Sequence, residues 1–93
     1  MITAAIDLTA AIDSQTLVTT AAGEHFWARV HLVPAGTGEF ELLSGSTIID
    51  HVQVGVAGGD YYREVQSLAV GDNLVLRRIE SIAMGGSVEY RLK

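Results

Sequence analysis

Residues 25–33 read HFWARVHLV, and their pattern is the clearest indication of the fold class. Its even positions are all apolar, whereas its odd positions carry the polar and amphipathic side chains His25, Trp27, Arg29 and His31. Successive side chains of a β-strand point to opposite faces of a sheet. The pattern therefore predicts a strand with one face in a core and the other face at the surface.

Similar alternation recurs in residues 47–56 and 87–93, and ten glycines separate many of the apolar stretches. Short alternating segments between turn residues are typical of all-β sandwiches and barrels. No segment after residue 14 has a convincing helical stripe of apolar residues. We expect one all-β domain of about seven antiparallel strands, a small β-sandwich or jelly-roll-like barrel with an extended N-terminal arm.

One segment departs from simple alternation. Between residues 73 and 79 the apolar side chains occupy even positions at Leu74 and Leu76 but an odd position at Ile79. An extra residue in a strand shifts the faces in this way. We therefore expect a register slip or β-bulge near Arg77 and Arg78, in a bulged or bent strand.

Size and composition limit the number of domains and the cellular environment of the protein. A chain of 93 residues forms one domain, and 48% hydrophobic against 18% charged residues excludes intrinsic disorder. So small a monomer has limited interior, which predicts that part of the apolar surface contacts another chain. The absence of cysteine excludes disulfides and thiolate metal sites, and it favours an intracellular or virion setting.

The N-terminal segment contains a short direct repeat. Residues 3–7 (TAAID) recur as residues 9–13, so one side of an extended chain is apolar. We expect residues 1–14 to form an arm outside a sandwich of residues 15–93. The arm would bind a partner through the apolar side chains Ile2, Ile6, Leu8 and Ile12. The alternative is a first strand or a frayed helix that folds onto its own domain.

Charge and targeting signals exclude two classes of partner. The net charge is −5, and the Arg77–Arg78 pair is the closest approach to a basic cluster, which argues against nucleic-acid binding. The N-terminus carries no basic residue, and Asp7 and Asp13 interrupt its apolar run. We therefore expect neither a signal peptide nor a membrane-spanning segment.

The residues that could support catalysis or metal binding lack the required spacing. His25 and His31 share a strand face but lie about 20 Å apart at about 3.3 Å per residue, so they cannot share a metal ion. The serines occur outside a Gly-x-Ser-x-Gly motif, and Glu39 and Glu41 are typical of a solvated strand face. The sequence predicts no enzyme, no metal and no cofactor.

The odd face of the strand at residues 25–33 is the best candidate for an interaction surface. It combines His25, Trp27, Arg29 and His31, and Tyr61 and Tyr62 are further large amphipathic rings. Trp, Tyr and Arg are enriched at protein interfaces because they bury a large area and keep a polar group. Two alternatives stay open: the rings stack on a sugar, or Trp27 fills the core.

Two motifs carry a resemblance to a known family. Residues 23–30 (GEHFWARV) and residues 68–76 (LAVGDNLVL) resemble the Gly-x-x-aromatic strand opening and the Leu-x-x-Gly-Asp strand entry of tumour-necrosis-factor-like jelly rolls. Trimeric heads of phage fibres and small capsid decoration proteins are related to this family. The resemblance implies a β-sandwich that self-associates as a dimer or trimer.

The same resemblance implies a function. A decoration protein would bind the major capsid protein, or other virion proteins, through the arm and the aromatic face, and its location would be the virion. It would stabilise the shell by bridging neighbouring subunits, so that individually weak contacts act together. The alternative is the receptor-binding or carbohydrate-binding head of a tail fibre.

Overall fold

The computed structural model describes residues 1–8, 13–54, 60–69, 71–79 and 83–93. These residues form eight antiparallel strands, which confirms the predicted all-β class. The strands are β1 (Ile2–Leu8), β2 (Ser14–Val18), β3 (Phe26–Pro34), β4 (Gly38–Ser44), β5 (Thr47–Val54), β6 (Tyr61–Gln66), β7 (Leu74–Arg78) and β8 (Met84–Leu92). The count exceeds the seven expected because the N-terminal segment also forms a strand.

The strands make two four-stranded sheets. Sheet A has the order β1-β8-β3-β6, and sheet B has the order β2-β7-β4-β5. Most consecutive strands lie in opposite sheets, and among the described strands only β4 and β5 are both consecutive and paired. Two four-stranded sheets connected in this way form a jelly-roll sandwich. The predicted sandwich is therefore confirmed.

The core lies between the inward faces of the two sheets. In β3 the even side chains from Phe26 to Leu32 are at most 2% exposed, as the alternation predicts. Phe40 and Leu42 of β4 face them from sheet B and are fully buried. In β8, Val88 lies in the same core. Strand alternation thus leaves the odd side chains of β3 on the outside of sheet A.

The N-terminal segment is part of the sandwich in this structure. β1 pairs with β8 along its whole length, from Ile2 opposite Tyr90 to Leu8 opposite Met84. Ile6 and Leu8 are 4% and 1% exposed and belong to the core. This is the alternative in which the segment folds onto its own domain, and burial of these two side chains is its physical reason.

The bulge expected near Arg77 and Arg78 is not present, so that prediction is wrong. β7 pairs with β4 without a register shift, and Leu74, Leu76 and Arg78 all have inward parity. Arg78 is only 7% exposed and donates a hydrogen bond from Nη2 to Asp13 Oδ1 at 3.2 Å, whereas Ile79 is 47% exposed. A buried guanidinium needs such a partner, and Asp13 supplies it at the end of the strand.

Candidate interaction surface

The outward side chains of β3, β6 and β8 form one continuous surface on sheet A. Register places three neighbours across these strands in each row: Arg91, Trp27 and Gln66 in one row, and Glu89, Arg29 and Glu64 in the next. We call this surface the sheet A face. Its principal side chains are Trp27, Arg29, His31, Tyr62, Glu64, Glu89 and Arg91.

Trp27 is held in place by an arginine on the neighbouring strand. It lies opposite Arg91 in the β3–β8 ladder, and the Arg91 guanidinium carbon is 5.1 Å from the centroid of the indole ring. A cation over an aromatic face is attracted by the ring quadrupole. Trp27 is half-buried on the outside of sheet A, so it does not fill the core. Arg91 covers part of its ring.

A second aromatic pair lies near the edge of the same sheet. His31 and Tyr62 are cross-strand partners whose ring centroids are 4.4 Å apart and whose planes differ by 2°. His31 Nε2 also lies 2.7 Å from Asp60 Oδ1, which anchors the imidazole. Tyr62 is 59% exposed and belongs to the edge strand β6. The face of its ring opposite His31 is therefore turned towards the sheet edge.

An ion pair lies between these two aromatic groups. Arg29 Nη2 donates to Glu64 Oε1 at 3.2 Å, and the two side chains are 50% and 60% exposed. Glu89 lies opposite Arg29 on the other side, in β8. The pair is exposed enough for solvent to screen it, so it contributes little to stability. Its charged groups remain accessible to a partner.

The structure places the remaining sequence-predicted residues elsewhere. Tyr61 has inward parity and packs partly buried against the core, on the other side of β6 from Tyr62. His25 precedes β3, and its Nδ1 lies 2.9 Å from Ser67 Oγ. Ile6 and Leu8 are buried in the core, Ile2 is 49% exposed at the start of β1, and Ile12 lies outside the described residues.

Three members of the sheet A face were missed in the sequence. Glu64, Glu89 and Arg91 lie beside Trp27 and Arg29 only because β6 and β8 flank β3 in the sheet. Alternation in residues 87–93 already places Glu89 and Arg91 on the polar side of a strand. This alternation does not show which strand lies next to residues 87–93 in the sheet.

The outward face of sheet B has a different character. Arg77 Nη2 donates to Glu41 Oε2 at 2.7 Å, and His51 Nε2 lies 3.3 Å from Glu39 Oε2. The two glutamates share one outward side of β4, as the sequence predicts, and each has a cationic or polar partner. The Arg77–Glu41 and Arg29–Glu64 pairs are thus similar cross-strand ion pairs on opposite faces of the sandwich.

In the described ranges, no three His, Asp or Glu side chains lie close enough together to hold a metal ion. Across the same residues there is no helix of the length and apolar character needed to cross a membrane.

Comparison with known proteins gives matches among solved structures only, where seven chains match. No family model matches the chain, and no curated protein matches it. Among solved structures, the chain is similar to the carbohydrate-binding module CBM36 in complex with calcium and xylotriose. The two share 14% identity, with 98% of this chain and 89% of that chain covered and a TM-score of 0.47. At this level the similarity says nothing about ligands or function.

Proposed function

We propose that this chain is a binding domain that docks another protein through the sheet A face. The observation that carries the proposal is the set of preformed contacts on that face. Trp27 is fixed by Arg91, and the Tyr62 ring is fixed by His31. Tryptophan, tyrosine and arginine are the residue types that contribute most binding energy at protein interfaces.

Preorganisation supports the proposal on energetic grounds. Ordering a flexible side chain at an interface costs about 0.5–1.5 kcal/mol. On the sheet A face part of that cost is met during folding, because neighbouring strands already hold the aromatic rings and the Arg29–Glu64 pair. These side chains also project from a sheet, which offers a broad surface of the kind that suits a protein partner.

The partner that we propose is a repetitive protein shell. Residues 23–30 and 68–76 resemble tumour-necrosis-factor-like jelly rolls, to which capsid decoration proteins and fibre heads are related, and this supports a role as a capsid decoration protein in the virion. The major capsid protein would then bind the sheet A face, and dimers or trimers of the chain would bridge neighbouring shell subunits. Bridging increases the effective concentration of each contact and so strengthens the assembly.

A matched pair of arginine variants tests the docking surface. Expanded phage capsids are sedimented with the Arg29→Ala or the Arg77→Ala variant. Each variant removes one cross-strand pair with glutamate, and the two arginines are 50% and 46% exposed. We expect Arg29→Ala to weaken capsid binding at least about tenfold and Arg77→Ala to leave it unchanged. Equal binding by both variants would contradict the proposal.

Tyr62 favours a second candidate, a carbohydrate-binding head. Its ring is 59% exposed and is held parallel to His31, which gives a rigid platform on which a sugar ring can stack. Trp27 is less suited to this role because Arg91 covers part of its ring. The two candidates separate on a glycan microarray. Glycan binding that Tyr62→Ala abolishes, with no binding to capsids, would replace the decoration role with this one.

A further inference from the structure

β1 is an edge strand whose outer side faces away from sheet A. The Asp7 N–H and the Ala5 carbonyl both bond to a side chain outside sheet A, so the backbone groups of residues 3, 5 and 7 point outwards and those of the even residues face β8. An edge of this kind is a template on which another strand can add. Strand addition is easiest where the edge strand is regular.

The side chain of Gln15 covers the middle of this edge. Gln15 lies in β2, at the edge of sheet B, and reaches across to β1. The Asp7 N–H donates to Gln15 Oε1 at 2.8 Å, and Gln15 Nε2 donates to the Ala5 carbonyl at 3.2 Å. If a strand added to β1 in parallel orientation, one of its residues would form the same two hydrogen bonds, with the Asp7 N–H and the Ala5 carbonyl on either side of Ile6. The amide thus replaces one residue of an incoming strand.

The other edges are protected in other ways. The ladders of the sheet B edge strands are irregular, with a register shift between Thr16 and Val18 in β2 and one opposite the Leu42/Leu43 step in β5. β6 carries the charged pair Arg63 and Glu64. Bulges and charges are the usual protections of an edge. β1 pairs in unbroken register and has Asp7 as its one charged residue.

We propose that the Gln15 side chain is an edge cap that prevents a second copy of this chain from adding a strand to β1. The cap acts at the side of the sandwich, away from the sheet A face, and is independent of the function proposed above. A second copy is the relevant occupant because it presents the same β1 edge, and two such edges can pair antiparallel about a twofold axis, an arrangement that also needs the Asp7 N–H and the Ala5 carbonyl.

Amide hydrogen exchange of the unaltered protein tests whether the cap forms in solution. The Ala5 N–H points to the same edge as the Asp7 N–H but does not bond to Gln15. After correction for intrinsic rates, we expect the Asp7 amide to exchange about fivefold more slowly than the Ala5 amide, as one net hydrogen bond of about 1 kcal/mol requires. Equal exchange of the two amides overturns the proposal.

Sedimentation of three variants tests the consequence. With Gln15→Ala, we expect the weight-average mass at high concentration to be at least about twice that of the unaltered protein. Gln15→Lys should keep the unaltered mass, because a lysine protects an edge by its charge. Gln53→Ala is the matched control, since Gln53 bonds to the Glu39 side chain and not to the backbone of an edge.

Two outcomes of the sedimentation overturn the proposal. One is a folded Gln15→Ala protein, checked by circular dichroism, whose mass equals that of the unaltered protein at every concentration. The other is association of Gln15→Lys as strong as that of Gln15→Ala. If Gln15→Ala does not fold, the exchange rates of Asp7 and Ala5 in the unaltered protein decide the matter.

Discussion

Gly86 lies inside β8, where its backbone has a φ of +123°. A Cβ atom at this position would come within 2.0 Å of the His31 carbonyl oxygen, which belongs to the backbone of the neighbouring strand β3. Neither the φ angle nor the space admits a larger residue. Two strands of sheet A can therefore approach closely at this point only because residue 86 is glycine.

Gly86→Ala is expected to lower the free energy of unfolding by about 2–4 kcal/mol, because it adds backbone strain and a clash with a strand that cannot move freely. Gly85→Ala is the matched control. A Cβ atom at Gly85 meets backbone oxygens only at 3.8 and 4.0 Å, so we expect a change below about 1 kcal/mol. Urea denaturation measures both, and equal midpoints would contradict the explanation.

The Asp72 side chain gives the Gly-Asp motif in residues 68–76 a structural role in this chain. Its Oδ2 accepts hydrogen bonds from Ser44 Oγ at 3.0 Å and from the Ala69 N–H at 3.1 Å. Gly71 precedes it with a φ of +78°. The aspartate therefore joins the turn before β7 to the buried end of β4, and local hydrogen bonding of this kind is what aspartate commonly supplies in turns.

Among the strands, β1 contains apolar residues that differ in how deeply they are buried. Leu8 is 1% exposed and belongs to the core, whereas Ile2 is 49% exposed at the start of the strand. The sequence grouped both residues as partner-binding positions of an arm. Their different burial predicts different energetic roles.

Leu8→Ala is expected to lower the free energy of unfolding by about 3 kcal/mol, because it leaves a cavity in the core. Ile2→Ala should lower it by less than about 1 kcal/mol, since its side chain is already half in solvent. Guanidinium denaturation followed by circular dichroism measures both changes. A small effect of Leu8→Ala, similar to that of Ile2→Ala, would instead support an arm that does not pack in the core.

One polar residue on the inward side of β5 contacts the edge strand of the opposite sheet. Asp50 has inward parity in β5, and its Oδ2 lies 2.8 Å from Arg63 Nε in β6. β5 and β6 are the edge strands of sheets B and A, so this ion pair joins the sheets at their open side. Both side chains are partly exposed, which limits the contribution of the pair to stability.

At the scale of the whole molecule, the topology separates paired strands widely along the sequence. β1 and β3 both pair with β8, and β2 pairs with β7, whereas β4 and β5 form a hairpin closed by Gly45 and Ser46. Forming such non-local pairs requires the closure of long loops before most of the contacts are made. This entropic cost slows folding.

We expect refolding on a timescale of about milliseconds to seconds, as for other β-sandwiches of this size. Stopped-flow fluorescence can follow it, because Trp27 is the single tryptophan and its environment includes Arg91 only in the folded sheet. Circular dichroism of the strands is the second probe. Refolding complete within about 100 µs, the range of small helical proteins, would contradict this expectation.

Much of the fold class could be predicted from the sequence. Alternation depends on the residue's own strand alone, so residues 25–33 and 87–93 were assigned to strands with the correct faces. The bulge near Arg77 and Arg78 is the assignment that failed. Alternation treats an inward position as apolar, whereas Arg78 has inward parity and bonds to Asp13.

The candidate site could be predicted only in part. Trp27, Arg29 and His31 share a strand, and alternation alone places them on one face. Tyr61 and Tyr62 are adjacent in a segment that alternates poorly, so the sequence does not show which of them faces outwards. The structure puts them on opposite sides of β6. Glu64 and Arg91 join the face through strands that are distant in sequence.

The sequence alone is enough to predict a single all-β domain and the core-facing side of its clearest strands. The tertiary structure was needed to show that β8 and β6 flank β3, so that Arg91 covers Trp27 and His31 stacks on Tyr62. It also placed Gln15 on the edge of β1. The physical reason is that side-chain alternation is a local property of one strand, whereas strand neighbours are chosen by packing between distant parts of the chain.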